Sequence, residues 1–279
     1  MSVSTTNALV TTDWLAERLA EPSVVVAEVD ENPDLYEEGH IAGSVKLHWK
    51  DDLQDPLVRD VVSKAEFERL MGERGIASDT TVVLYGDKNN WFAAYAYWYL
   101  KIFGHEDVRL LDGGRQKWIE EGREMTNAPP APPPVAYTAK DRDETIRIRR
   151  DEILAGLADP GIALVDVRSP QEYAGELMAP PGYEQEGASR TGHIPGAQSI
   201  PWAAAVHDDG TFKSTEELQE MYTAKGVTPD KEVRAYCRIG ERSAHTWFVL
   251  RELLGYENVK NYDGSWTEWG NLVDVPIER

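Results

Sequence analysis

The single cysteine of this 279-residue sequence stands in a segment that could carry nucleophilic chemistry. Residues 236–243 read Tyr-Cys-Arg-Ile-Gly-Glu-Arg-Ser, between an apolar run and a helical pattern. A tight loop between a strand and a helix can point successive backbone N–H groups at an anion, and this environment lowers the pKa of a cysteine thiol. Arg238 and Arg242 add permanent positive charge for binding an oxyanion. We therefore predict a thiolate nucleophile at Cys237, inside an anion-binding loop.

The segments around this loop alternate between short apolar runs and helical patterns. Residues 162–167, 233–236 and 259–261 are predicted strands, and residues 216–225 and 243–254 are predicted helices. Such alternation predicts an α/β fold with a mostly parallel sheet and helices on both faces. Ligands of these sheets bind beyond the carboxyl ends of the strands, which is where the cysteine lies.

The sequence contains two copies of one series of motifs. The Gly-His-Ile segment at residues 39–43 recurs at 192–196, displaced by 153, and the capping-box patterns that begin at Ser63 and Ser214 are displaced by 151. At the latter displacement the cysteine corresponds to Gly86, so the first copy has no thiol. These repeats predict a duplicated domain of which one copy can perform cysteine chemistry.

Proline-rich sequence separates the two copies. Prolines at positions 129, 130, 132, 133 and 134 favour an extended linker over a helix. We predict a first domain over residues 1–126, a linker over 127–140 and a second domain over 141–279. The second copy also carries an insertion at residues 175–191, which is predicted to be a surface loop.

The combined motifs of the second copy resemble the rhodanese signature series. They lie at residues 166–173, 192–197, 237–243 and 262–266, and the resemblance to the tandem-domain thiosulfate sulfurtransferases covers essentially the whole chain. It implies two rhodanese-like domains, an inactive first domain and a catalytic second one. It further implies a cysteine persulfide, a small anionic sulfur donor (thiosulfate), cyanide or a thiol or dithiol protein as acceptor, and no cofactor.

Substrate-binding residues are carried over position by position. We predict that Arg238 and Arg242 bind the donor. The mammalian thiosulfate-specific members of the family have a substrate-binding arginine at the position of Glu172, and we predict that Arg190 replaces it here, with Arg242 as the second candidate.

Other polar residues in the motifs are predicted to be structural. His40 and His193 of the two Gly-His-Ile segments are structural in the family pattern, and Asp166 and Arg168, two apart on one strand, are expected to pair. The six histidines and the one cysteine form no set with metal-ligand spacing, so no metal is expected.

The predicted reaction is a double displacement in which thiolate Cys237 takes the outer sulfur of thiosulfate. No His or Asp partner of Cys237 is evident, and none is required because sulfite leaves without protonation. 3-Mercaptopyruvate leaves as an enolate that must be protonated, for which the loop offers no evident group. Thiosulfate is therefore the preferred donor; a 3-mercaptopyruvate sulfurtransferase and a non-catalytic persulfide carrier remain alternatives.

A phosphatase is the main alternative of another class. Phosphatases of this fold have Cys, five residues and then Arg, whereas Arg242 follows Cys237 after four residues. The shorter loop is expected to fit one sulfur atom and to be too small for phosphate.

Composition restricts the remaining classes of function. The formal net charge is −20, which disfavours binding to nucleic acid. No run of about 18 apolar residues is present, so no membrane span is expected. The segment Met1–Asn7 lacks a basic start followed by an apolar core, which predicts a cytoplasmic protein without a signal peptide.

Overall fold

The computed structural model describes residues 7–183 and 187–279. The chain divides into two compact units. The first contains the residues up to Asp143 together with Val206–Phe212, and the second contains Glu144–Ala205 and Lys213–Arg279. Each unit has its own parallel sheet flanked by helices, as the sequence predicts. The assignment of an inactive first domain and a catalytic second domain stays a prediction.

The sheet of the first unit has five strands in the order β1-β5-β4-β2-β3. The strands are Leu9–Val10 (β1), Val24–Glu28 (β2), Val45–Lys46 (β3), Thr81–Tyr85 (β4) and Val108–Leu111 (β5). The helices are Thr12–Ala16 (α1), Leu35–Glu38 (α2), Lys64–Glu73 (α3), Asp87–Ile102 (α4) and Gly114–Glu120 (α5). Most residues of the central strands β2 and β4 are buried, and both strands are rich in valine, as expected for strands covered on both faces.

The sheet of the second unit has four strands in the order β7-β6-β8-β9. The strands are Ile162–Asp166 (β6), Gln198–Ser199 (β7), Glu232–Tyr236 (β8) and Val259–Tyr262 (β9). The helices are Arg150–Ala155 (α6), Pro170–Tyr173 (α7), Thr215–Thr223 (α8), Glu241–Phe248 (α9) and Ser265–Trp269 (α10). Short 3₁₀ helices span Glu144–Ile146 and Trp202–Ala205, and one π-helical turn spans Val249–Leu253.

The predicted strands and the first predicted helix of this unit match β6, β8, β9 and α8 to within two residues. The second predicted helix starts two residues earlier than expected, at Glu241, and its last turn is π-helical. The earlier start follows from Gly240, whose left-handed φ of 103° makes it the N-cap. Glu241 thereby falls in the first turn of α9, next to the cysteine.

The connecting segments contain little regular structure. Residues 127–143 form no helix or strand, and the linker over residues 127–140 stays a prediction. The predicted loop at 175–191 also lacks both where the chain is described, and its residues 184–186 lie outside the described part. Within the described residues, no helix is long and apolar enough to cross a membrane.

Candidate active site

The carboxyl ends of three neighbouring strands lie level with one another in the second unit. Asp166 of β6 is in register with Tyr236 of β8, and Tyr236 is in register with Tyr262 of β9. Cys237 is the next residue after Tyr236, so the chain turns from strand to loop at the cysteine. Its side chain has no exposed surface.

The loop after Cys237 folds back around the sulfur atom. The amide of Gly240 donates a hydrogen bond to Cys237 Sγ at 3.1 Å, and the Ser243 hydroxyl lies 3.6 Å from the same atom. The Cys237 amide donates to Ser265 Oγ at 3.0 Å, and the Cys237 carbonyl accepts from the Trp266 amide. The Gly240 amide thus contacts the sulfur atom, whereas the Ser243 hydroxyl is closer to Asn261 Oδ1, at 2.6 Å. The predicted set of loop N–H groups around one anion stays a prediction.

Gly240 is the residue that allows this fold of the loop. Its φ of 103° disfavours any L side chain, and a Cβ there would lie 2.7 Å from Asp263 Cα. We expect Gly240→Ala to displace the Gly240 amide from the sulfur and to destabilise the protein by at least about 1 kcal/mol. Thermal unfolding and the rate of persulfide formation measure the two effects. Gly255→Ala serves as the control, since Gly255 also has a positive φ but an added Cβ there would meet no atom within 4 Å.

A carboxylate that sequence reasoning missed lies beside the cysteine. Glu241 Oε2 is 3.4 Å from Cys237 Sγ, and the Glu241 side chain is 1% exposed. Complete burial and the negative charge of Glu241 raise the pKa of the Cys237 thiol, although Arg242 and hydrogen bonds from Ser243 act in the opposite direction. The predicted lowering of the thiol pKa is therefore wrong for this state of the protein. The available signal was the i, i+4 spacing of Cys and Glu across the start of a helix.

Arg238 lies in the loop and contacts the carboxylate from the other side. Its guanidinium is 3.6 Å from Glu241 Oε1 and donates to the Tyr183 carbonyl at 3.3 Å. The guanidinium carbon also stacks 4.6 Å from the centre of the Tyr183 ring. The guanidinium is thus next to the group that contacts the sulfur, which is compatible with the predicted role in donor binding.

Arg242 is held in a buried ion pair. Both of its terminal amino groups donate to the Glu172 carboxylate, at 2.9 and 3.1 Å, and the two side chains are 4% and 0% exposed. Glu172 is fixed in turn by Ser169, whose amide and hydroxyl both lie 3.0 Å from Glu172 Oε2. Glu172, the residue that departs from the family pattern, is therefore the partner of a predicted substrate-binding residue.

Arg190 is engaged mainly by backbone carbonyls that follow α10. Its guanidinium donates to the carbonyls of Trp269, Gly270, Leu272 and Val275. It also borders an open cleft of about 400 Å³ that is lined by Thr191, Ile277 and Arg279. These contacts explain Arg190 as an anchor of the C-terminal segment, and its role in donor binding stays a prediction.

The aspartate and arginine on β6 and just after it form the predicted pair. Arg168 Nε and Nη2 donate to the two oxygens of Asp166, and Nη2 also donates to the Gly192 carbonyl at 2.7 Å. The guanidinium lies 4.4 Å from the centre of the Trp266 ring. The pair is fully buried and connects the Gly-His-Ile segment to the sheet, so the structural interpretation is confirmed.

The two Gly-His-Ile histidines have equivalent structural contacts. His40 Nδ1 is 2.8 Å from the Tyr36 carbonyl, and His193 Nδ1 is 2.9 Å from the Tyr173 carbonyl. Each imidazole stacks on the ring of the same tyrosine, with centres 4.0 and 3.6 Å apart. The prediction that both histidines are structural is confirmed.

The equivalent loop of the first unit has a different structure. Gly86 follows β4 as Cys237 follows β8, but a Cβ at Gly86 would collide with the Val29 carbonyl oxygen. Residues 88–90 are all left-handed, with φ of 43°, 59° and 62°. Asn90 accepts from the Gly86 amide and donates to the Leu111 carbonyl. This loop therefore has no room for a side chain at the position that corresponds to Cys237.

Metal chemistry has no set of ligands in the described ranges 7–183 and 187–279. No group of three or more His, Cys, Asp or Glu side chains there is placed to hold a metal ion.

Comparison with known proteins agrees with this site. The family model for the rhodanese-like domain matches residues 11–121 and 149–272, which is most of the chain. The chain belongs to the rhodanese-like domain family. This tandem rhodanese is 60% identical over 274 residues to the "Sulfur carrier protein TtuD" of Thermus thermophilus, covering 97% of this chain and 96% of that protein. It is 56% identical over 272 residues to a "Putative thiosulfate sulfurtransferase" of Mycolicibacterium smegmatis, covering 98% of each.

Solved structures place this rhodanese near a larger enzyme. The anaerobic ergothioneine biosynthesis enzyme of Chlorobium limicola, in complex with trimethyl histidine, superimposes with a TM-score of 0.85 at 27% identity, covering all of this chain and 71% of that one. A variant of the enzyme EanB that carries a cysteine persulfide superimposes with a TM-score of 0.84 at 26% identity, covering 98% of this chain and 70% of that one. The comparisons together support sulfur transfer as the general chemistry of the family member described here.

Proposed function

We propose that this rhodanese is a thiosulfate sulfurtransferase that carries the transferred sulfur as a persulfide on Cys237. The observation that carries the proposal is the geometry of the loop, in which the Gly240 amide and the Ser243 hydroxyl surround a single sulfur atom. Donors placed at Cys237 Sγ can stabilise the negative charge that returns to this atom when the persulfide is discharged. Several relatives, from Mycolicibacterium smegmatis and other organisms, are named putative thiosulfate sulfurtransferases, which supports thiosulfate as the donor.

In the proposed reaction, Cys237 Sγ attacks the outer sulfur of thiosulfate and the S–S bond of the donor breaks. The bonding electron pair leaves with sulfite, and Cys237 keeps the outer sulfur as a persulfide. Cyanide or a thiol then attacks that outer sulfur and the electron pair of the persulfide bond returns to Cys237. Arg238 is the residue we assign to the sulfonate group, since guanidinium forks suit oxyanions.

Arg242 contributes to the attack by Cys237 through the electrostatic field of its positive charge. Both terminal amino groups are occupied by Glu172, yet its charge still favours the thiolate form of Cys237. We therefore assign Arg242 to stabilising the negative sulfur and ordering the loop, in addition to the predicted contact with the donor.

Intact-mass measurement tests the proposal directly. Incubation with thiosulfate should add the mass of one sulfur atom to the protein, and cyanide should remove it, because Cys237 is the only thiol in the chain. Parallel incubation with 3-mercaptopyruvate at equal concentration should load the protein more slowly. An unchanged mass after excess thiosulfate contradicts the proposed donor, and faster loading by 3-mercaptopyruvate reverses the donor assignment.

The structure changes one argument for the donor. The sequence showed no group near Cys237 that could protonate an enolate, but Glu241 Oε2 lies 3.4 Å from the sulfur. The preference for thiosulfate therefore depends on the cationic Arg238, which favours a dianion, and the comparison of the two donors becomes the decisive measurement.

A persulfide carrier is the second candidate. It is favoured by the name of the relative from Thermus thermophilus, a sulfur carrier protein, and by the complete burial of the cysteine side chain. A carrier should accept sulfur from a donor protein while turning over thiosulfate and cyanide no faster than Cys237→Ser does. Steady-state turnover with small substrates distinguishes the two functions.

A further inference from the structure

Glu241 has no role in the reaction as described so far, although it makes the closest side-chain contact to the nucleophile among the contacts of the described residues. Its Oε2 lies 3.4 Å from Cys237 Sγ, within hydrogen-bonding distance for sulfur, and both groups are almost completely buried. A carboxylate accepts and does not donate, so the shared proton in this contact belongs to the thiol. The Cys237 thiol and the Glu241 carboxylate are therefore placed as a proton donor and a proton acceptor.

The surroundings keep Glu241 in this position. Glu241 is the first residue of α9, where a carboxylate is favoured by the helix dipole, and Arg238 lies 3.6 Å from its other oxygen. Gly240, directly before it, donates its amide to the same sulfur. The backbone of one short turn therefore fixes both the hydrogen-bond donor and the carboxylate relative to Sγ.

We propose that Glu241 is the proton acceptor of Cys237, taking the thiol proton when sulfur is loaded and returning a proton to the same sulfur atom when the persulfide is discharged, which suits the site to a protonated thiol as acceptor. The inference rests on the proposed persulfide reaction and deepens it. It assigns a role to Glu241 and a chemical class to the acceptor.

The protons and electrons balance in both half-reactions. In loading, the thiol proton passes to the Glu241 carboxylate while Cys237 Sγ bonds to the outer sulfur of thiosulfate; sulfite leaves as the dianion with the electron pair of the broken S–S bond, and Glu241 then releases the proton to solvent. In discharge, the acceptor thiol gives its proton to Glu241 and its thiolate attacks the outer sulfur. The electron pair of the broken S–S bond stays on Cys237, which takes the proton back from Glu241.

The negative charge of Glu241 has a second consequence. It raises the pKa of the Cys237 thiol together with burial, so the resting cysteine is held as a thiol. The other charged groups at this position are Arg242 of α9, Glu172 of α7, which pairs with Arg242, and Arg238 of the loop. A role that is only electrostatic and a role in proton transfer therefore predict opposite effects on the rate when the charge is removed.

The variant Glu241→Gln separates these roles, with Glu241→Asp as the conservative partner. Because the chain has one cysteine, carbon-13 labelling of cysteine Cβ gives a single resonance whose pH dependence reports the thiol pKa without any need for access to the sulfur. We expect Glu241→Gln to lower this pKa by at least about one unit, since the adjacent negative charge is lost and Arg242 remains. Glu241→Asp, which keeps the charge, should lower it less.

The second measurement is discharge of the preformed persulfide to dithiothreitol or to sulfite. A thiol must lose its proton to react, whereas the sulfite dianion has none to lose. We expect the ratio of the dithiothreitol rate to the sulfite rate to fall at least about tenfold in Glu241→Gln and to recover partly in Glu241→Asp. Glu232→Gln, the same change at the start of β8 where Glu232 pairs with Arg234 and Lys260, is the control and should change neither quantity.

The outcomes are distinct. A lower thiol pKa with an unchanged or higher rate ratio makes Glu241 an electrostatic residue only and overturns the proposal. No change in either quantity overturns it as well. If thiosulfate forms no persulfide on the unmodified protein, the proposed function fails, while the titration still decides whether Glu241 holds the proton of Cys237.

Discussion

Replacing Cys237 with serine is expected to reduce sulfur transfer to the uncatalysed background. No second thiol exists in the chain, and a serine oxygen cannot form a persulfide. The fold should persist, because the loop is anchored by the Cys237 backbone, through its amide to Ser265 and its carbonyl to the Trp266 amide. Turnover of thiosulfate with cyanide and with dithiothreitol measures the loss, and thermal unfolding measures the fold.

Cys237→Ala is the companion variant. It removes the sulfur without placing a hydroxyl beside Glu241, so equal inactivity of the two variants assigns the loss to the missing sulfur. Transfer above background in either variant contradicts the central role of this cysteine. Inactivity accompanied by a collapsed unfolding transition would instead show that the sulfur is needed for folding.

Replacing Arg238 of the loop and replacing Arg242 of α9 are expected to change stability and activity by different amounts. Arg242→Ala leaves the Glu172 carboxylate buried without its partner, which should cost about 3 to 5 kcal/mol of unfolding free energy. Arg238→Ala also removes the partner of a buried carboxylate, Glu241, but at the longer distance of 3.6 Å, so it should cost less stability than Arg242→Ala; it should lower kcat/KM for thiosulfate by about two orders of magnitude, if it acts as an oxyanion donor does. Chemical denaturation and steady-state kinetics of both variants measure these effects.

A double variant tests whether Arg242 is only structural. Arg242→Met combined with Glu172→Met replaces the buried ion pair by apolar side chains, which often restores stability. Recovery of activity together with stability would show that Arg242 does not act on the donor or on the negative sulfur. Recovered stability with low activity is the result we expect, since the charge of Arg242 favours the Cys237 thiolate.

Full thiosulfate activity in Arg238→Ala would contradict the role of Arg238.

Much of the fold could be predicted because it depends on local patterns. The strands β6, β8 and β9 are short apolar runs, and the capping box of α8 is formed by Ser214 and Glu217 as the sequence indicates. The duplication appears in structure as well: Tyr85 and Tyr236 both donate from the phenol to an acidic residue of the neighbouring strand. Hydrophobic periodicity and caps act over a few residues, so sequence alone is sufficient to find them.

The exact start of α9 was harder to predict. The pattern of apolar residues begins at Ser243 and Ala244, whereas the hydrogen-bonded helix begins at Glu241. The difference is decided by Gly240, which has a left-handed backbone conformation and lies close to Asp263, in the turn between β9 and α10. A shift of two residues is small for the fold, but it places a carboxylate in the first turn, against the sulfur.

The sequence by itself determined the duplicated α/β fold, the single cysteine at the end of a strand, the pairing of Asp166 with Arg168 and the absence of a thiol in the first copy. Only the tertiary structure decided the charge balance around Cys237. Burial of Cys237 and the Glu241 carboxylate beside its sulfur raise the pKa of the thiol, whereas Arg242, which is paired with Glu172 of α7, acts in the opposite direction. The physical reason is that desolvation and Coulomb interactions depend on distances between side chains brought together by folding, and residue types in a motif carry no such distances.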